Sequence, residues 1–245
     1  MKNSLLKQVL LCFTTVFLVA KNAFAMHLSE GILPVKDVVI TFIISAPFVI
    51  IGFKKIAEQK KQNPLYFSLV GLLGAAVFVI SAFPIPVPVA GTCSHPAGTG
   101  LSAIFLGPFP SVVVSFIALL IQALFMAHGG LTTLGANVLT MGVCGSFCGY
   151  AAYMFGRRAK LSYFWSGFLA GFVADIVTYA ATAFVLAASL ADNTLQAFTE
   201  IGLAFVPTQA PLSILEGVIT AFAVKYVFQN KPELLENRKS AEVQI

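Results

Sequence analysis

The sequence predicts an all-α integral membrane protein with about seven transmembrane helices, and three observations support this fold class. Hydrophobic residues make up 58% of the 245 residues and charged residues only 10%, whereas soluble domains carry about 25% charged residues. The mean hydropathy of +0.89 arises from long apolar runs. Basic residues also cluster between these runs, as they do in cytoplasmic loops. This composition excludes a soluble enzyme, a disordered chain and a nucleic-acid-binding domain, so no nucleic-acid partner is expected.

The N-terminus has the layout of a secretory signal peptide. Lys2 and Lys7 precede a short apolar segment at 9–20, and Ala23–Ala25 has the small-x-small pattern of a cleavage site. Cleavage after Ala25 would make Met26 the first residue of the mature chain and leave it outside the cell. The alternative is an uncleaved first helix. The predicted domains are a cleavable signal peptide at 1–25, a membrane domain at 26–230 and a cytoplasmic polar tail at 231–245.

Seven apolar segments follow the signal peptide. They cover residues 38–53, 65–83, 97–107, 111–127, 134–155, 163–188 and 207–228. With the mature N-terminus outside, alternating crossings leave Lys36 as the only basic residue of the mature chain on the outer side. This positive-inside pattern predicts a multi-pass membrane protein with a cytoplasmic C-terminus.

The third segment, 97–107, is short, contains three glycines and is flanked by Pro96 and Pro108. The region before it is predicted outside and Arg157 and Arg158 inside, so an odd number of crossings must separate them. The fourth and fifth segments supply only two, so the third must cross, or nearly cross, as well. Broken backbone at membrane depth is tolerated where protein or a cavity surrounds it. A short interrupted span of this kind indicates a binding site.

The three histidines of the chain are all predicted on the extracytoplasmic side. His27 would be the second residue after cleavage. The free amine of Met26, the His27 amide nitrogen and the His27 Nδ1 could then chelate one divalent ion through a five-membered and a six-membered ring. Such ligands must lose their protons to bind. A surface histidine is the alternative.

Two further histidines and one cysteine lie near the short segment. His95 could supply a fourth nitrogen ligand, or it could be a loop histidine that bonds to backbone. His128 ends the fourth segment and could cap helix carbonyls or orient another group. Cys93 could be a thiolate ligand, although a lone exposed thiol is a liability in an oxidising exterior.

Asp175 and Glu216 are carboxylates within apolar segments, which makes them functional candidates. They could relay protons or ions, but we favour structural hydrogen bonding. Cys144 and Cys148 lie one turn apart and suit buried packing better than a disulfide or a metal pair. The sequence has no zinc-protease, nucleophile-elbow or Walker A motif, so the chain is not expected to be an enzyme by itself.

Five motifs in a fixed order resemble the CbiM/NikM family, the substrate-binding membrane subunits of energy-coupling-factor importers for cobalt and nickel. They are MHLSEGILP at 26–34, GTCSHPAGTGL at 91–101, GP at 107–108, QALFMAHGGLTTLGAN at 122–137 and PLSILEG at 211–217. The resemblance implies that Met26, His27 and His95 hold the metal and that the N-terminus lies in the core of a seven-helix fold. It also implies that the domain at 26–230 binds the substrate and that the protein lies in the bacterial plasma (inner) membrane. The implied partners are a coupling membrane subunit, ATPase subunits and a small accessory membrane subunit.

Two observations on the identity of the ion point in different directions. The residues around Glu30 and His128 look like the cobalt branch of the family, which supplies cobalamin synthesis, whereas an amide chelate with four nitrogens suits square-planar nickel. We predict cobalt, bound as a transported substrate and not as a cofactor, with nickel as the alternative. Functions of a different class are a stand-alone proton-coupled transporter that uses Asp175 and Glu216, and a membrane scaffold that binds no metal.

Overall fold

The computed structural model describes residues 27–82, 85–87 and 92–230, without the side chains of 85–87, 92 and 93. Six of its helices are long and apolar enough to cross a membrane. They are α1 (Val35–Gln62), α2 (Pro64–Ser81), α4 (Pro108–Phe125), α5 (Leu134–Arg158), α6 (Tyr163–Leu190) and α7 (Thr194–Asn230). A short helix, α3 (Thr99–Leu106), and an antiparallel ribbon of β1 (Ile85–Val87) and β2 (Thr92–Ser94) lie between α2 and α4.

The predicted all-α membrane fold is confirmed. Six of the seven predicted segments correspond to the long helices, and the third corresponds to the short helix α3. Helix α3 has eight residues, all buried, and spans about 12 Å at 1.5 Å per residue. The hydrocarbon core is about 30 Å thick. Gly98 and Gly107 bound the helix at φ angles of 71° and 88°, in the left-handed region that glycine enters without steric cost. The third segment is therefore short, as expected.

Two helices extend well beyond the predicted segments. Helix α1 continues through the basic residues that follow residue 53, and Lys60 and Lys61 lie in its last turn, where positive charge favours a helix. Helix α7 begins at Thr194 and not near 207, with Pro207 and Pro211 inside it. Membrane helices accommodate prolines because neighbouring groups satisfy the freed carbonyls.

Small residues bring the central helices close together. A Cβ atom on Gly100 of α3 would lie 2.6 Å from the Ala170 carbonyl oxygen of α6, and one on Gly171 of α6 would lie 2.7 Å from the Glu216 carbonyl oxygen of α7. The middle of α5, Val138–Gly145, is a π-helix, a wider form frequent at functional sites. The free thiols of Cys144 and Cys148 on α5 are half-buried, which fits packing. Helices α3, α5, α6 and α7 thus form a close-packed core.

Candidate metal centre

The segment that precedes α1 is folded into the protein at the start of α5. The Leu28 amide donates to Asn137 Oδ1 at 2.8 Å, and Asn137 Nδ2 donates to the Leu28 carbonyl at 3.2 Å. The Thr133 hydroxyl donates to the same carbonyl. Because both backbone groups of Leu28 are held, the position of the neighbouring His27 is fixed as well.

Two glycines after His128 allow this segment to approach closely. Gly129 has a φ of +83°, and a Cβ atom on Gly130 would lie 2.5 Å from a carboxylate oxygen of Glu30. That carboxylate accepts from the Thr132 amide, and hydrogen bonding to Thr132 lowers the pKa of Glu30. The loop at 128–130 therefore forms the surface against which the N-terminal segment packs.

The rings of His27, His95 and His128 meet in one cluster. The ring centroid of His27 is 4.6 Å from that of His95 and 4.7 Å from that of His128, and the other pair is 5.2 Å apart. One potential ligand atom from each ring lies within 4.8 Å of the other two. The exposed fractions are 2%, 0% and 9%, so the cluster is shielded from solvent.

The hydrogen bonds of His95 direct one nitrogen into the cluster. His95 Nδ1 lies 3.0 Å from the Pro96 carbonyl oxygen. A carbonyl only accepts, so Nδ1 carries the proton and Nε2 of the neutral ring has a free lone pair. The Nε2 atoms of His95 and His128 are both buried without a hydrogen-bond partner among the described residues. Buried polar atoms without a partner are rare, and a bound ion is one explanation for two of them in one cluster.

The pKa of each histidine in the cluster lies below its ordinary value. Burial is the main cause for His27, followed by the charges that His95 and His128 would carry. Burial also lowers the pKa of His95 to about 3, and the pKa of His128 falls for the same reason. The three imidazoles are therefore neutral at neutral pH, which is the form that binds metal ions.

Two central helices hold the loop that carries His95. The Tyr179 hydroxyl accepts from the His95 amide at 3.0 Å and donates to the His95 carbonyl at 3.1 Å. The Glu216 carboxylate accepts from the amides of Ala97 and Gly98 at 2.5 and 3.0 Å. Helices α6 and α7 thus position this loop.

Asp175 lies beside Glu216 in the same region and interacts with it. One oxygen of Asp175 accepts from Gln209 Nε2 and from the Ser213 hydroxyl, both at 2.6 Å. Its other oxygen, Oδ1, has no hydrogen-bond partner among the described residues. The contacts of Oδ2 fit the expected role of Asp175 as a hydrogen-bond partner.

The structure does not describe two parts of the expected site, the whole of Met26 and the side chain of Cys93. Met26 is outside the described residues, and Cys93 is described only by its backbone, which pairs with Pro86. Sequence reasoning in turn missed Gln122 and Asn137, which contact the N-terminal segment. Both are polar residues in apolar segments, the signal that had identified Asp175 and Glu216, but they are not ionisable.

Comparison with known proteins places this arrangement among metal transporters. The family model CbiM, described as a cobalt uptake substrate-specific transmembrane region, matches residues 27–234. The cobalt transport protein CbiM of Sorangium cellulosum is 49% identical over 86% of this chain and 95% of that protein. The protein of the same name from Geobacter sulfurreducens is 48% identical over 89% of this chain, which spans only 64% of that relative.

Solved structures give a consistent result. A crystal structure of a transition metal transporter superposes with a TM-score of 0.74 at 25% identity, covering 89% of this chain and all of the other. The crystal structure of a truncated transition metal transporter superposes with a TM-score of 0.72 at 27% identity, covering 83% of this chain and 98% of the other.

Proposed function

Because the chain belongs to the CbiM family, we propose that it captures the metal ion for an ATP-driven importer of the energy-coupling-factor class. It is a multi-pass membrane component of cobalt uptake and a transport protein, not an enzyme. The observation that carries the proposal is the buried histidine cluster, in which the Nε2 atoms of His95 and His128 face no partner among the described residues.

The proposed ligands are four nitrogens. They are the Met26 amine, the His27 amide, the His27 Nδ1 and the His95 Nε2. Support comes from the burial of His27 next to His95 and from the proton on His95 Nδ1, which leaves Nε2 free. The amine is available only if a signal peptide is removed after Ala25, so that cleavage at this bond is part of the proposal.

Cobalt is the proposed ion and nickel the alternative. Four nitrogens that include an amide suit square-planar nickel. The buried Nε2 of His128, in the same cluster, could add a fifth nitrogen ligand to the four of a square plane. This additional donor supports cobalt, the ion named for the Sorangium and Geobacter relatives.

The rest of the importer is proposed from the family. A coupling membrane subunit, ATPase subunits and a small accessory membrane subunit would complete it, and ATP hydrolysis on the partner chains would drive reorientation of this subunit. The proposed location is the bacterial inner membrane with the mature N-terminus outside. The basic loops support this orientation.

Elemental analysis of the purified chain, together with its intact mass, tests the proposal. Cells are grown with both cobalt and nickel, and about one cobalt per chain that begins at Met26 is expected. Nickel in its place would favour the alternative ion. A correctly cleaved chain without metal would overturn the chelate. Transport without any ATPase partner would instead support a proton-coupled transporter that uses Asp175 and Glu216.

A further inference from the structure

Gln122, on α4, contacts His27 from the side opposite to the proposed chelate. Its side chain is fully buried, and its Oε1 lies 2.9 Å from His27 Nε2. Its Nε2 lies 2.8 Å from the Ser81 hydroxyl oxygen and 3.5 Å from the Phe78 carbonyl oxygen. The amide thus bridges α2 and the N-terminal segment.

The partners of Ser81 determine which way the Gln122 amide faces. The Ser81 hydroxyl is 2.7 Å from the Val77 carbonyl oxygen and 3.3 Å from that of Phe78. Carbonyls only accept, so the single hydroxyl proton is directed to them and Ser81 can only accept from Gln122. The NH₂ group of Gln122 must therefore face Ser81, and its carbonyl oxygen must face His27.

This order of donors and acceptors determines the tautomer of His27. Because Gln122 Oε1 accepts, His27 Nε2 must carry the proton, and a neutral imidazole has only one. We infer that Gln122 is a positioning residue that holds His27 in the Nε2-protonated tautomer, with the Nδ1 lone pair free for the metal ion. The inference rests on the proposed chelate, since Nδ1 is the only ring nitrogen that can close a six-membered ring with the amide of the same residue.

The same residue also contributes to the position of His128. The Gln122 backbone carbonyl accepts from the His128 amide at 3.2 Å. Substitution of the side chain leaves this contact in place. A variant at Gln122 therefore separates the effect on the His27 tautomer from the placement of His128.

The test combines the tautomer with metal affinity. The chain has three histidines, so ¹⁵N-histidine NMR of the metal-free mature protein in detergent gives a simple spectrum, with His27→Ala assigning the His27 signals. Titration with Co²⁺ then gives the dissociation constant. The variants are Gln122→Leu, which has no polar atoms, and Gln122→Glu, whose oxygen still accepts from His27. The matched control is Gln196→Leu, at an exposed residue of α7.

We expect His27 to be protonated at Nε2 in the wild type, in Gln122→Glu and in the control. In Gln122→Leu we expect a mixture of both tautomers and Co²⁺ binding weaker by about 10- to 100-fold, as for other partners that orient metal-binding histidines. Ser81→Ala retains Gln122 and removes the nearer acceptor of its NH₂ group but leaves the Phe78 carbonyl. It should give a smaller shift in the same direction. It serves as the test if Gln122→Leu does not fold.

An unchanged tautomer or unchanged affinity in folded Gln122→Leu would overturn the inference while leaving the proposed function in place. If the wild type binds no Co²⁺, the proposed function fails. The NMR experiment then still decides whether Gln122 sets the tautomer.

Discussion

The histidine cluster and the Glu216 carboxylate are both buried and polar, yet they differ in what fills their hydrogen-bonding capacity. Both oxygens of Glu216 accept from backbone amides of the chain itself. In the cluster, the Nε2 atoms of His95 and His128 meet no partner among the described residues. The satisfied oxygens of Glu216 fit a structural role, whereas two imidazole nitrogens left open in one cluster are available to a metal ion. The two regions are adjacent, since Glu216 holds the residues that follow His95.

The largest effect is expected from loss of a ligand. His95→Ala removes the free Nε2 lone pair and should weaken Co²⁺ binding by more than about 100-fold, because loss of an outer partner alone costs about 10- to 100-fold. Isothermal titration of the mature protein measures this. Cys148→Ala, at a half-buried free thiol, should bind like the wild type. Retained binding in His95→Ala would remove this residue from the site.

The next effect tests whether Glu216 acts as a structural anchor. In Glu216→Gln the side-chain NH₂ group replaces an oxygen and faces the backbone N–H of Ala97 or Gly98, so two donors oppose each other. This should lower the free energy of unfolding by about 1–3 kcal/mol. The His95 loop should also lose its position, so we expect Co²⁺ binding to weaken by about tenfold, the lower end of the range for outer-sphere partners. Unfolding curves and titration give the two quantities, with the exposed Glu200→Gln as control. Unchanged stability with lost transport would contradict the anchor role.

A smaller effect should separate the two candidate ions. His128→Ala removes the donor beyond a square plane, so Co²⁺ affinity should fall more than Ni²⁺ affinity. We expect the cobalt-to-nickel ratio to change by roughly three- to tenfold, about 1 kcal/mol. Competition titration of both ions against the wild type measures this ratio. An equal loss for the two ions would show that His128 does not contribute to selectivity.

The smallest effect is expected at Asp175. Asp175→Asn retains an oxygen that can accept from Gln209 and Ser213, so stability should fall by no more than about 1 kcal/mol and metal uptake should continue. Uptake by cells that also produce the partner subunits, with His27→Ala measured in parallel, tests this. Uptake abolished by Asp175→Asn but retained in His27→Ala would favour the proton-coupled alternative.

The fold class and the grouping of candidate residues were accessible from the sequence for different reasons. Apolar length and basic loops predict the helices because the bilayer imposes both. The glycines around α3 predict its shortness. The apolar segment predicted at 207–228 missed the start of α7 at Thr194. The helix continues through Pro207 because membrane helices accommodate proline.

The network around the site was less accessible. No pattern in one chain shows that Gln122 contacts His27 or that Glu216 contacts Ala97, since these residues are separated by 95 and 119 positions. Such contacts depend on how helices pack in three dimensions. A polar residue in an apolar segment indicates only that it needs a partner, not which partner it finds.

The hydrogen bonds between α6 and α7 have a consequence for how the protein enters the membrane. If α6 entered alone, Asp175 would lie in lipid without Gln209 and Ser213, at a cost of about 2.5–3.5 kcal/mol at the bilayer centre. Only residues 191–193 separate the two helices. The favourable route for biogenesis is therefore insertion of α6 and α7 together as a helical hairpin, with Gln209 and Ser213 already donating to Asp175.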